Sequence, residues 1–303
     1  MFGKGRTHWR EEDCFQEGSL VYPYHHQNYY AILHSHDFYE INIISSGKGT
    51  HHMWSRTFDA IPGDVYVIPP DVSHGYSIRD QLDIYHILLR KDFMTRYADD
   101  LEALPGYHTL FEIEPYLRQA TSTPYFLHLS PHQLNALSLE MEQAIEAFQK
   151  ESYAQLNIIT LHLICELCLE IAKRTEAENT HSRALSFSLL KTLEYIQHNL
   201  DQKLNIEALA VRSSMSVATF NRHFKQTLKC TPLQYITECR VKKALRLLQQ
   251  SDLSKAEIAL MCGFYDSSHM NKYLRKADLS LHNAQLHHHT TAIKEPFDEI
   301  PFL

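Results

Sequence analysis

Four side chains in the first quarter of the chain have the types and spacing of a ligand set. His34 and His36 stand two residues apart, Glu40 follows, and Gly47 closes the run. Gly63, Pro69 and His74 then recur within one short stretch. Side chains on an extended strand alternate between faces, so His34, His36 and Glu40 project to the same side. His74, on another strand, can close the set from across the interior. Two or three imidazoles with one carboxylate suit a divalent zinc, iron, nickel or manganese ion. The same groups can instead hydrogen-bond a small organic effector, with Trp54, Phe58 or a tyrosine stacking on its apolar face. Either use makes His34, His36, Glu40 and His74 the candidate effector-binding residues, and the same four the candidate metal ligands.

A different chemistry is concentrated towards the other end. In 203–228, Asn205 can cap a short helix that turns Ile206, Leu209 and Ala210 inward. Ser213, Ser214 and Met215 make a turn, and Ser216 caps a second helix whose Phe220 and Phe224 lie four apart on its core face. Ala218, Thr219, Asn221, Arg222 and Lys225 are left for the outer face. Arginine reads guanine bidentately, asparagine reads adenine, and lysine suits phosphate. About 50 residues later, 254–279 repeats the plan. Ile258 and Ala259 face in, Gly263 and Phe264 turn, Asp266 or Ser267 caps, and Met270 and Leu274 are buried. Ser267, Ser268, Asn271, Lys272 and Arg275 face out. Between the repeats, 231–251 starts a helix at Pro232 and places Ile236, Val241, Ala244, Leu245 and Leu248 inside. Such a rigid connection holds two recognition helices about one turn of DNA apart, so that they enter successive major-groove segments.

The elements that must position these groups differ along the chain. From about 20 to 90 the segments are short and β-like (YEINIIS, THHMW, VYVIP, DIYHILL), with Gly and Pro at the turns. This predicts an antiparallel barrel or sandwich. From 131 the period becomes helical, with Leu134, Leu137, Met141, Ile145 and Phe148 on one stripe and Pro131 in the first turn. A second helix over 153–174 is apolar around much of its circumference (Leu156, Ile159, Leu163, Leu167, Ile171), which suits packing on the first helix and on a second copy of the chain. The expected organisation is a sensing barrel at 1–130, a helical dimerisation segment at 131–174, a polar linker at 175–183, a double helix-turn-helix at 184–285 and a histidine-rich disordered tail at 286–303. The fold class is therefore α+β and multidomain, with an N-terminal antiparallel β-barrel and an all-α C-terminal half.

Charge follows the same division. The net −7 combines 15 Lys and Arg against 8 Asp and Glu in 183–285, a net +7, with 13 against 25 in 1–182, a net −12, and 1 against 3 in the tail, a net −2. A basic unit joined to an acidic one suits a polyanion binder carrying a separate function. The six cysteines form no paired framework. Cys165 and Cys168 share a helical run with no second pair to complete a metal site, so they read as small buried apolar residues. Charges interrupt every apolar run before a membrane span's length, and the first residues lack the apolar core of a secretory signal. The expectation is a cytoplasmic protein with no membrane partner.

On the residues of the two repeats and their connecting helix, in order and spacing over about 186–284, the sequence resembles the AraC/XylS family of bacterial regulators. That resemblance implies base-facing roles for Ala218, Asn221 and Arg222 in the first unit, and for Ser267, Ser268 and Lys272 in the second. Such domains usually end in a Gly-x-x-Pro-x-x-Tyr-Arg pattern, where this chain has Asp278, Leu281, Ala284 and Gln285, which implies a less rigid second unit. The His34–Gly47 and Gly63–His74 runs resemble the two cupin motifs, small barrels whose three histidines and one glutamate can hold a divalent metal. The second run departs from the pattern at Asp71, where glycine is usual, and at Ile78, where asparagine is usual. The HSHDFYEI wording most resembles regulators of sugar catabolism of the rhamnose and chitobiose types. Together these imply a non-enzymatic transcription activator with double-stranded DNA, a carbohydrate effector, a second copy of itself and RNA polymerase as partners. The competing readings are a metal-dependent cupin enzyme with a DNA-targeting domain, and a constitutive or repressing DNA binder with an empty barrel.

Overall fold

The computed structural model describes residues 7–53, 56–120, 127–177 and 184–276. Its N-terminal half is one eight-stranded sheet. The strands are β1 (His8–Trp9), β2 (Val21–His26), β3 (Ala31–His36), β4 (Tyr39–Met53), β5 (Arg56–Ala60), β6 (Asp64–Ile68), β7 (His74–Leu89) and β8 (Leu127–His128). Hydrogen bonding runs β1-β3-β7-β4-β6-β8, with β2 also on β7 and β5 on β4. Among the described residues this path does not close, and β1 joins β3 in parallel. The N-terminal unit is thus the expected sheet-rich domain, mostly antiparallel, and closure into a barrel is not seen among the described residues.

Both faces of the sheet are buried, and strand parity sorts the side chains between them. Ile41 and Ile43 of β4, Val65 and Val67 of β6, and Tyr85 and Ile87 of β7 pack towards the helices. Ile44, Tyr66, Ile68 and Ile84 join an inner cluster with Tyr76 and Phe58. The β4–β7 register slips between Ile44 and Ser46 and again around Lys48. Gly47 sits in the slipped stretch at φ 81°, where an added Cβ would lie 1.5 Å from the Gln81 carbonyl oxygen. The bulge inverts parity, and beyond it the odd-numbered Met53 lies in the inner cluster.

Helix α1 (Glu11–Cys14) follows β1. Residues 91–120, for which the sequence pattern suggested no element, form α2 (Lys91–Arg96), α3 (Ala98–Glu102), a π-helical turn (His108–Ile113) and α4 (Glu114–Ala120). Ser130 caps α5 (Pro131–Gln149) in a capping box with Gln133. Helix α5 and α6 (Tyr153–Ala177) bury Leu134, Leu137, Met141, Leu156, Leu163 and Leu167 in the sheet's own core. The predicted helical segment therefore shares a core with the sheet. Over Tyr153–Arg174, α6 is long and apolar enough to cross a membrane by length and composition. Glu166 and Glu170 interrupt that stretch, and its buried stripe packs into this core.

The second half contains α7 (Ala184–His198), α8 (Ile206–Arg212), α9 (Val217–Leu228), α10 (Pro232–Gln250), α11 (Lys255–Met261) and α12, helical over 267–276. Each helix-turn-helix has its own core, one around Phe220 and Phe224 and one around Ile258, Phe264 and Met270. The first also takes in Ile113 and Leu117 from the sensing half. Leu245, expected inside, is 38% exposed, whereas Leu248 packs on the core as expected and Leu247 joins it. Of the expected linker 175–183, residues 175–177 finish α6 and 178–183 lie outside the described residues, as do Trp54, Asp278, Leu281, Ala284, Gln285 and the tail 286–303.

Candidate functional site

The four predicted ligands converge. Strand β3 carries His34 and His36, Glu40 is the second residue of β4, and β7 opens with His74 directly opposite His34. Ligand atoms of His34, Glu40 and His74 all lie within 4.8 Å of one another. His36 Nε2 is 3.1 Å from Glu40 Oε2, and His74 Nε2 is 3.0 Å from the same oxygen. Glu40, His36 and His74 are buried, while His34 is only partly covered.

The other ring nitrogens explain how the imidazoles are held. Nδ1 of His34 donates to the Ile32 carbonyl at 2.9 Å, that of His36 to Phe38 at 2.8 Å, and that of His74 to Val72 at 3.2 Å. A neutral imidazole has one N–H, so in this tautomer each Nε2 is left with a lone pair. Burial lowers the pKa of His36, and burial followed by the charge of His74 lowers that of His34 to about 4. Burial would raise the Glu40 carboxyl, but the imidazoles of His36, His74 and His86 outweigh it and hold it well below the usual carboxylate range. The Nε2 atoms of His36 and His74 can meet Glu40 Oε2 in one of two ways, as the N–H donors that lower the Glu40 carboxyl or, with the proton on Nδ1, as lone pairs that share a cation with it. Imidazoles anchored through Nδ1 to backbone carbonyls are also how metal-binding histidines are oriented. The donor set therefore fits a divalent cation of the zinc class.

Two further histidines belong to the chamber and were not found from the sequence. His86 donates from Nδ1 to the second Glu40 oxygen at 2.9 Å, while its Nε2 is buried without a partner. His51 is buried with neither ring nitrogen partnered. Its ring stacks on Tyr76 at 4.6 Å and lies 4.3 Å from Tyr66 and 6.4 Å from His74. Of the two residues that depart from the cupin pattern, Asp71 occupies a left-handed conformation at φ 63°, which is the physical reason glycine is usual there. Ile78 is exposed.

The second site is the outer face of the helix-turn-helix pair. The Asn205 side chain accepts from the amides of Glu207 and Ala208, and that of Ser216 from Thr219, so both first-unit helices start where expected. Ser213 is buried in the turn with its hydroxyl 2.7 Å from that of Thr192 on α7. With Phe220 and Phe224 buried, Ala218, Asn221, Arg222 and Lys225 are exposed and Thr219 half-buried. In the second unit Asp266 provides the cap, its Oδ1 accepting from the His269 amide at 2.7 Å. Ser268, Lys272 and Arg275 are exposed there, and Ser267 and Asn271 are half-buried. Gly263 holds the turn at φ 73°, and a Cβ there would lie 2.0 Å from the Leu200 carbonyl oxygen. Helix α10 ties the units together, Arg240 donating to the carbonyls of Leu200 at 2.9 Å and Gln202 at 2.7 Å.

Comparison with known proteins agrees with both halves. Residues 18–156 match an AraC-like ligand binding domain and residues 209–277 match a helix-turn-helix domain. The HTH-type transcriptional activator RhaS of Escherichia coli is 30% identical over 243 residues, 80% of this chain and 83% of its own. Among solved structures, the DNA-binding domain of AdpA in complex with a target DNA is 30% identical, covering 32% of this chain and 95% of its own at a TM-score of 0.29. Apo ToxT from Vibrio cholerae is 9% identical, covering 86% of this chain and 95% of its own at a TM-score of 0.35.

Proposed function

Given that the chain belongs to the AraC family of DNA-binding transcription regulators, we propose that it is a cytoplasmic activator whose DNA binding responds to a ligand held at the histidine chamber. His34, His36, Glu40 and His74 would bind a divalent cation, with His86 steadying the carboxylate from its other oxygen. The observation that carries this reading is the convergence of His34, Glu40 and His74, whose ligand atoms lie within 4.8 Å of one another, with the imidazoles of His34, His36 and His74 each held through Nδ1 at a backbone carbonyl. When bound, the cation supplies a fixed positive centre able to polarise and orient an oxygen-rich effector. A carbohydrate suits that role, in keeping with the likeness to RhaS. Dimerisation through α5 and α6 would present two DNA-reading halves to one operator. Ala218, Thr219, Asn221, Arg222 and Lys225 would read the first major-groove segment. Ser267, Ser268, Asn271, Lys272 and Arg275 would read the second. The effector acts by binding one arrangement of the two halves more tightly than another.

Metal analysis of the purified protein, followed by thermal shift against a sugar panel with and without chelator, tests this. A divalent ion in near-stoichiometric amount, and a sugar whose stabilisation vanishes with chelator, are expected. A metal-free protein unaffected by zinc, iron, nickel or manganese would overturn the metal assignment.

A further inference from the structure

Helix α4 has side chains in two different cores. Leu117, with Ile113 just before it, is buried among Leu189, Leu193, Phe220 and Phe224, the last two on recognition helix α9. The next residue, Arg118, is fully buried on the sensing side. Its Nε donates to Glu114 Oε1 at 2.9 Å and its Nη2 meets the second oxygen of the same carboxylate. Nη2 also donates to the Val67 carbonyl of β6 at 3.4 Å, and Nη1 lies 3.8 Å from the Met53 sulfur at the end of β4. The guanidinium stands 5.1 Å from the centre of the Tyr66 ring. Tyr66 in turn touches His51, the doubly unpartnered imidazole beside His74.

A buried ion pair gains little net stability over apolar residues of the same volume, so stability alone does not account for this one. What the pair does provide is rigidity. The guanidinium is fixed to a carboxylate one turn earlier on its own helix, so a push on Arg118 moves α4 as a unit. The preceding turn is π-helical, a rare geometry that occurs frequently at functional sites. Close-packed interiors transmit such displacements, because they have little free volume to absorb them.

We propose that Arg118 is a positioning residue that couples the state of the histidine chamber to the placement of recognition helix α9, acting through α4. A change around His51 alters Tyr66 and Met53, which Arg118 touches directly. Leu117 and Ile113 carry the shift to Phe220 and Phe224, and Asn221 and Arg222 move with that helix. This rests on the sensing role proposed for the chamber, yet it is tested without any assumption about what the chamber binds.

The experiment is a double-mutant cycle on the full-length protein. The chamber is perturbed by His51→Phe, and the link is cut by Glu114→Gln with Arg118→Met, which leaves no lone buried charge. DNA affinity is measured by fluorescence anisotropy on a duplex selected with the wild-type protein. In the wild-type background His51→Phe should change Kd by at least about fivefold, the low end of typical coupling between sites. In the cut background the change should fall below about twofold, the scatter expected of independent sites. Hydrogen exchange of 217–228 should respond to His51→Phe in the first background and not in the second, which a purely structural role for Arg118 would not produce. Leu117→Ala removes the contact on the α9 side without touching a charge, and it should reduce the coupling as well. An equal effect of His51→Phe in all backgrounds, or no effect in the wild type, overturns the proposal. Zinc chloride added to the same proteins forms a separate arm. Zinc that fails to bind defeats the metal assignment, while the His51 cycle still decides the coupling.

Discussion

The amide of Asp71 donates to the carbonyl of His36 at 2.7 Å. This bond joins the loop after β6 to the strand that carries a central imidazole, so the two sequence runs that hold the ligands are stitched backbone to backbone. Asp71 makes it from a left-handed conformation. Glycine reaches that conformation without strain, whereas a β-branched residue does not. Asp71→Gly should therefore be at least as stable as the wild type, and Asp71→Val should lose roughly 1–2 kcal/mol. Thermal denaturation separates them, and equal midpoints for the two variants would show that the turn can relax.

At the chamber, His36→Ala should abolish zinc binding measured by calorimetry while the protein stays folded and still binds DNA, because the sheet has its own apolar core on both faces. His86→Ala is expected to be milder, lowering zinc affinity about 10–100-fold, as loss of a carboxylate's supporting hydrogen bond does. Unchanged affinity in His36→Ala would remove this residue from the ligand set.

On the DNA side, Arg222→Ala should cost about 1–3 kcal/mol of specific binding and relax preference at one base pair. Lys225→Ala should weaken binding to all sequences about equally and shallow the salt dependence by roughly one unit. Both follow from exposed positions opposite the buried Phe220 and Phe224. An Arg222→Ala protein with unaltered operator preference would place base reading elsewhere.

Leu139 on α5 and Ile158 on α6 are each 68% exposed. Their helices sit side by side, with His162 bonded to Glu140 at 2.9 Å across the outer surface. If these helices pair two copies, Leu139→Glu and Ile158→Glu should shift sedimentation towards monomer. Fold stability should move by less than about 0.5 kcal/mol, as for surface substitutions in general. A dimer unaffected by both changes would put the seam on another face.

The DNA-binding half was legible because its determinants are local. Asn205, Ser216 and Pro232 mark helix starts within a turn of where they act, and Phe220 and Phe224 declare a face by spacing alone. Leu245 was misplaced because it follows buried Ala244 on a helix whose inner stripe turns towards Leu247 and Leu248. In the sensing half, His34, His36 and Glu40 were found because strand parity operates within a single segment. His86 and His51 were missed for the opposite reason. His86 faces Asn42 only through the pairing register of two long strands. His51 turns inward only after a bulge that inverts the alternation beyond Ile44. Neither register nor bulge is written in any short window of residues. A related limit hid α2–α4: α2 and α3 are too short to show a stripe and bury Phe93, Met94 and Leu101 in the sheet core, while the run into α4 divides Leu110 and Phe111 from Ile113 and Leu117 between two cores.

Ile113 and Leu117 bear on how freely such a protein can be recombined. They belong by chain order to the sensing half, yet they complete the apolar interior of the first helix-turn-helix. A cut between residues 177 and 184 would leave that interior open on one side. The halves are consequently not interchangeable cassettes. A chimera exchanging residues 184–303 for the equivalent part of a relative inherits a poorly packed core unless the incoming α7 and α9 fit these two side chains. Partner choice between the two halves of the chain is thus set by packing at α4 as much as by the tether that joins them.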